Sequence, residues 1–133
     1  MGIVEFLEAR IAEDEAVATY ASAESGGPDW AVRDIPWEGI YHFATSDDPP
    51  GEVTAVTHHM DIHDPARVLR EVAAKRELLE LHYDGNPGPG DIHYCGTCHD
   101  YYKHDAEDWP CETVRVLAST FSDHPDFNEE WRP

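Results

Sequence analysis

Basic residues, cysteine and long apolar runs are all scarce in this sequence. Lys and Arg number nine against 28 Asp and Glu, a formal charge of −19, and protonating all nine His would still leave about −10. Nucleic-acid backbones are bound by cations that displace their counterions, so direct nucleic-acid binding is not expected. Three Cys in 133 residues are too few, and odd in number, for a secreted disulfide scaffold; they predict reduced thiols in a cytoplasm. No apolar run approaches the roughly 20 residues of a membrane span. The opening MGIVEFLEAR lacks a basic segment followed by an uninterrupted apolar one, so no signal peptide is expected. No nucleophile elbow, P-loop or dinucleotide-binding glycine pattern occurs, and the His-x-Glu of a zinc deaminase is missing. What is present is 41% hydrophobic and 11% aromatic residues, enough for one core in a chain of single-domain length.

Residues 3–21 read as an amphipathic helix, with Ile3, Leu7, Ile11, Ala18 and Ala21 on one side, ended by Ser25-Gly26-Gly27-Pro28. Two aromatic and β-branched stretches, 37–45 and 52–60, flank Ser-Asp-Asp-Pro-Pro-Gly and predict a hairpin over 37–60. Asp64 as N-cap and Pro65 at the first helical position open a second helix, 65–82, with Arg67/Glu71 and Arg76/Glu80 at i,i+4 spacing. A Gly/Pro loop over 84–91 then delivers a cysteine knuckle within 93–111. A third helix over 110–121 carries Val114, Leu117, Ala118 and Phe121 on one face, and the acidic tail 122–133 has Phe127 and Trp131 as anchors. The expected fold is α+β in one domain: two packed helices, a hairpin, and a knuckle joining the second helix to the third.

Cys95 and Cys98 form a C-x2-C around a glycine, the spacing that aims two thiolates at one ion. Cys111 faces inward at the start of the third helix, where the helix dipole favours a thiolate. A closed zinc site needs a fourth ligand, from His82, His93, His99 and His104. His82 leads because it ends the second helix about 40° from the apolar stripe of Val68, Val72 and Leu79; His99, which abuts Cys98, is second choice. The expected cofactor is one structural zinc. Cys95-Gly-Thr-Cys98-His99 also matches a haem-attachment pattern, and the same cysteines could form a dithiol redox pair.

Thr57-His58-His59-Met60-Asp61-Ile62-His63 offers another constellation. On a strand, His59, Asp61 and His63 would share one face and could hold a hydrolytic metal ion. Three charges fall inside the apolar stripes of the long helices: Arg10 and Asp14 in the first, Arg76 in the second. Buried and unpaired they would be costly, so Asp14 is expected to meet Arg76 as a buried ion pair with Arg10 nearby.

Three blocks, FLEARIAEDEAVA, DPARVLREVAAKRELLELH and WPCETVRVLASTFSDHPDFNEEWRP, together with the C-x2-C, resemble a family of small proteins of unknown function from actinobacteria and their phages. The resemblance covers about half of the chain. It implies that His82, Cys95, Cys98 and Cys111 occupy recurring family positions, in a bacterial or phage-encoded cytoplasmic protein, and implies no activity. The leading functional expectation is a non-enzymatic, zinc-stabilised module that binds a protein partner through its acidic surface. The alternatives are an acidic nucleic-acid mimic that inhibits a DNA-binding enzyme and the hydrolase built on His59, Asp61 and His63.

Overall fold

The computed structural model describes residues 1–29, 55–89, 92–99 and 108–133. Among them are four α-helices, α1 (Ile3–Ser25), α2 (Ala55–Ile62), α3 (Pro65–Leu81) and α4 (Glu112–Ser119), and a 3-10 turn, Glu129–Trp131. The chain divides into two compact units, one of Met1–Ala12 with Ala73–Pro133, the other of Glu13–Val72.

Local chemistry sets the ends of α1. The Glu5 carboxylate accepts the Gly2 N–H at 2.7 Å, half of a capping box. At the far end Gly26 takes φ +83°, and the Gly27 N–H reaches back to the Ser22 carbonyl at 2.9 Å. That six-residue closure is a Schellman motif, with glycine where a side chain would be strained. The helix therefore runs four residues beyond the expected 3–21.

In the first unit, Ile3, Phe6 and Leu7 of α1 bury against Val114, Leu117 and Ala118 of α4, Cys95, Cys111 and Trp131. Phe6 is fully buried, ringed by Phe121, Phe127, His124 and Trp131 at centroid distances of 6.4, 6.1, 5.8 and 5.1 Å. Each aromatic pair contributes about 0.5–1.5 kcal/mol beyond its burial. The acidic tail is thus held by the two aromatics read as its anchors. The third expected helix, 110–121, is the shorter α4, preceded by a cis Trp109–Pro110 peptide and capped by Cys111 in extended conformation.

In the second unit, Asp64 caps α3 as expected, its carboxylate accepting the Arg67 N–H at 2.8 Å. The Ala66 N–H joins the same helix start to the Pro28 carbonyl at 3.0 Å. The expected hairpin 37–60 is corrected in its last part, because 55–60 belong to α2; residues 37–54 lie outside the described residues. The β-branched residues there read as strand, yet α2 is closed by a contact that periodicity does not reveal: Arg67, five residues on, donates to the Ile62 carbonyl at 3.0 Å. The described residues are mostly helical, and their β pairing consists of two isolated bridges, Asp84 with Cys95 and Tyr94 with Asp108.

Candidate metal centre

The second helix, expected over 65–82, ends at Leu81 and leaves His82 as the first residue beyond it. Its last carbonyl accepts a hydrogen bond from the Thr97 hydroxyl, so one of the two residues between the knuckle cysteines also caps α3. The chain then pairs with the knuckle: the Gly96 N–H donates to the Tyr83 carbonyl at 2.9 Å and the Gly85 N–H to the Tyr94 carbonyl at 2.8 Å. The contact is reciprocal in side chains as well. A Cβ on Gly96 would lie 2.4 Å from the Tyr83 ring, and one on Gly85 would lie 2.4 Å from the Tyr94 ring. Each ring occupies the space above the other segment's glycine. The signal was in the sequence as the paired tripeptides Tyr83-Asp84-Gly85 and Tyr94-Cys95-Gly96.

This clasp brings together His82, Cys95, Cys98 and Cys111, whose ligand atoms all lie within 4.8 Å of one another. From His82 Nδ1 the three sulfurs are almost equidistant: 3.5 Å to Cys95, 3.5 Å to Cys98 and 3.4 Å to Cys111. Cys95 and Cys111 are fully buried, whereas Cys98 and His82 are half-buried. All three cysteines carry free thiols. Cys111 uses its place at the helix start differently from an ordinary cap, since its side chain makes no capping hydrogen bond and its sulfur meets His82.

The thiols have opposite tendencies. Burial works against a Cys95 thiolate, but the backbone N–H groups of Cys98 and Thr97 and the neighbouring sulfurs of Cys111 and Cys98 outweigh it and hold this thiol below its ordinary value. Burial pushes the Cys111 thiol up, and the Cys95 sulfur beside it pushes in the same direction, against the lowering effect of the Val114 N–H. A cation placed among the sulfurs would reverse the Cys111 tendency, because thiols ligate as thiolates.

The other histidines named as ligands stand elsewhere. His93 Nδ1 meets Asp84 Oδ2 at 2.7 Å, His99 packs its ring against Tyr94 at 4.7 Å between centroids, and His104 lies outside the described residues. The strand on which His59, Asp61 and His63 would share a face is replaced by α2. His59 and His63, one turn apart, stack at 4.3 Å, while Asp61, two residues from each, projects from another side. Among the described residues, the four-residue His/Cys cluster is the group of three or more metal-ligating side chains with ligand atoms in common reach.

The buried ion pair is corrected in its burial. Arg76 is exposed, and Arg10 and Asp14 are half-buried. Long charged side chains cover apolar surface with their stems and keep their heads in water, which lets them sit on an apolar stripe by angle. Arg10 Nη1 lies 2.9 Å from His124 Nδ1, and its guanidinium stands over the Phe6 ring, 5.6 Å from the centroid. Asp14 and Arg76 fall in different units, and their pairing stays an expectation.

No helix among the described residues is long and apolar enough to cross a membrane. No curated protein and no solved structure matches the chain. One family profile does, along residues 1–133, and the chain belongs to that family of unknown function, DUF6221.

Proposed function

We propose that the chain is a non-enzymatic protein-interaction module stabilised by one zinc ion, held by Cys95, Cys98, Cys111 and His82. The carrying observation is the near-equal spacing of three sulfurs around one ring nitrogen. A nitrogen lone pair accepts one hydrogen bond well, so hydrogen bonding has no reason to gather three thiols at 3.4–3.5 Å. A tetrahedral ion has one: bonds of about 2.3 Å to sulfur and 2.0–2.1 Å to nitrogen place the two about 3.6 Å apart. Three thiolates and an imidazole suit zinc by softness and geometry. Four protein ligands leave no open position for water or substrate, which favours a structural over a catalytic ion.

The partner is a protein with a basic surface, since a charge of −19 attracts cations over a distance set by salt. Three cysteines without a disulfide support a reducing cytoplasm as the setting of this proposal, and the resemblance of the helical blocks supports an actinobacterial or actinophage origin. The test is metal retention in single variants. His82→Ala is expected to weaken zinc binding at least about 100-fold and to lower the melting temperature, whereas His104→Ala leaves both unchanged. The reverse ranking would remove His82 from the site.

A further inference from the structure

His59 and His63 lie on and just after α2, outside the cysteine centre, and both side chains are exposed. Although α2 ends at Ile62, the His63 N–H still donates to the His59 carbonyl at 3.1 Å. The two residues therefore keep the i,i+4 register of a helical turn, which brings their rings to 4.3 Å between centroids at an interplanar angle of 37°. Among the described residues neither ring forms a hydrogen bond or an ion pair. Other imidazoles are tied down: His93 to Asp84, His99 against Tyr94 and His124 to Arg10. The surroundings of the pair favour a cation. It stands at the C-terminal end of α2, the negative end of a helix dipole, on a chain of charge −19. Arg67, which meets the same helix end, is paired with Glu71 at 2.8 Å.

We infer that His59 and His63 chelate one divalent late transition-metal ion, of the nickel or copper(II) kind, at an exposed site. Neutral imidazole nitrogen suits these ions, whereas magnesium and calcium take oxygen ligands. Small rotations about the side-chain bonds of two exposed residues aim one nitrogen of each ring at a common ion about 2.0–2.1 Å away. The pair exceeds the affinity of a single histidine because the second nitrogen binds at the effective concentration set by the helical turn. Asp61 projects from another side of the helix and takes no part. Two protein ligands leave the remaining positions to water or to a side chain of a second molecule, so this ion is exchangeable where one enclosed by four ligands is not. The inference uses neither the cysteines nor His82, and it stands or falls apart from the zinc reading.

The test is a titration of the folded full-length chain with nickel(II), after one equivalent of zinc to occupy the thiols. The readout is local: the ring resonances of His59 and His63, assigned with His59→Ala and His63→Ala. Nickel(II) is expected to broaden both sets together and saturably, with a dissociation constant below about 100 µM. Magnesium at the same concentration is expected to broaden neither. Either single variant is expected to weaken nickel binding at the remaining ring at least about tenfold. His58→Ala, on the same helix but about 100° around it, is expected to leave the affinity unchanged. All three side chains are exposed, so these variants keep the fold. No saturation below about 1 mM, broadening of one ring without the other, an equal effect of magnesium, or full affinity in His59→Ala or His63→Ala would each overturn the inference. So would a loss in His58→Ala as large as in the other two.

Discussion

Cys111 decides how the candidate metal centre would respond to acid. Its thiol is pushed up by burial, so it keeps its proton at neutral pH and must release it when an ion binds. Zinc affinity is therefore expected to fall at least about tenfold for each pH unit below neutral, measured by competition with a chromophoric chelator. An affinity independent of pH over that range would exclude Cys111 as a ligand. Without the ion the two shifted thiols act in opposite senses on folding. The Cys111 contribution is present below the ordinary value of 9.0 and is lost as pH rises through its raised value. The Cys95 contribution is present above 9.0 and is lost as pH falls through its lowered value. The two glycines of the clasp make a comparison of another kind. Tyr83 is 54% exposed and can swing away from a new Cβ on Gly96, whereas Tyr94 is half-buried and packed on His99. Gly85→Ala is expected to cost about 1–3 kcal/mol, and Gly96→Ala less, in thermal melts of the metal-loaded chain. The opposite order would place the supporting contact at Tyr83.

Elements whose ends carry their own chemistry were legible in the sequence, and those closed from elsewhere were not. Asp64 and Pro65 mark the start of α3 because an N-cap carboxylate and a missing N–H are local devices. Gly26 likewise marks the end of α1, although reading the apolar stripe alone stopped the helix at 21 rather than at the Schellman closure. Nothing within 4 Å would meet a Cβ on Gly26, so its conformation alone is at stake. Gly26→Ala is expected to cost about 1–2 kcal/mol of stability and Gly26→Asn less, by chemical denaturation; an equal cost for both would remove the positive φ as the cause. The segment 55–62 misled because its Val, Thr and His residues suit a strand, while its last carbonyl is satisfied by a side chain five residues on. At the candidate metal centre, spacing nominated Cys95 and Cys98, and helical position nominated Cys111 and His82. The Thr97 cap and the Tyr/Gly clasp join segments distant in sequence: the paired Tyr-x-Gly tripeptides are legible as a repeat, but not that each ring lies on the other's glycine.

For the molecule as a whole, charge and size set the need that an ion at the candidate centre would meet. Repulsion within a chain of charge −19 opposes compaction. The first unit sets against it one aromatic cluster around Phe6 and the junction of α3, the knuckle and α4 at the four ligand atoms. An ion there would neutralise thiolates and tie three segments at one point, so that its binding energy would become folding energy. The most direct measurement is a native mass spectrum of the untagged chain before and after a strong chelator, with helix content followed in parallel. The expected result is a mass increment of one zinc per chain, lost to the chelator together with ordered structure. A chain that carries no ion, or that is two hydrogens lighter through a disulfide, and remains folded would contradict a structural metal centre at Cys95, Cys98, Cys111 and His82.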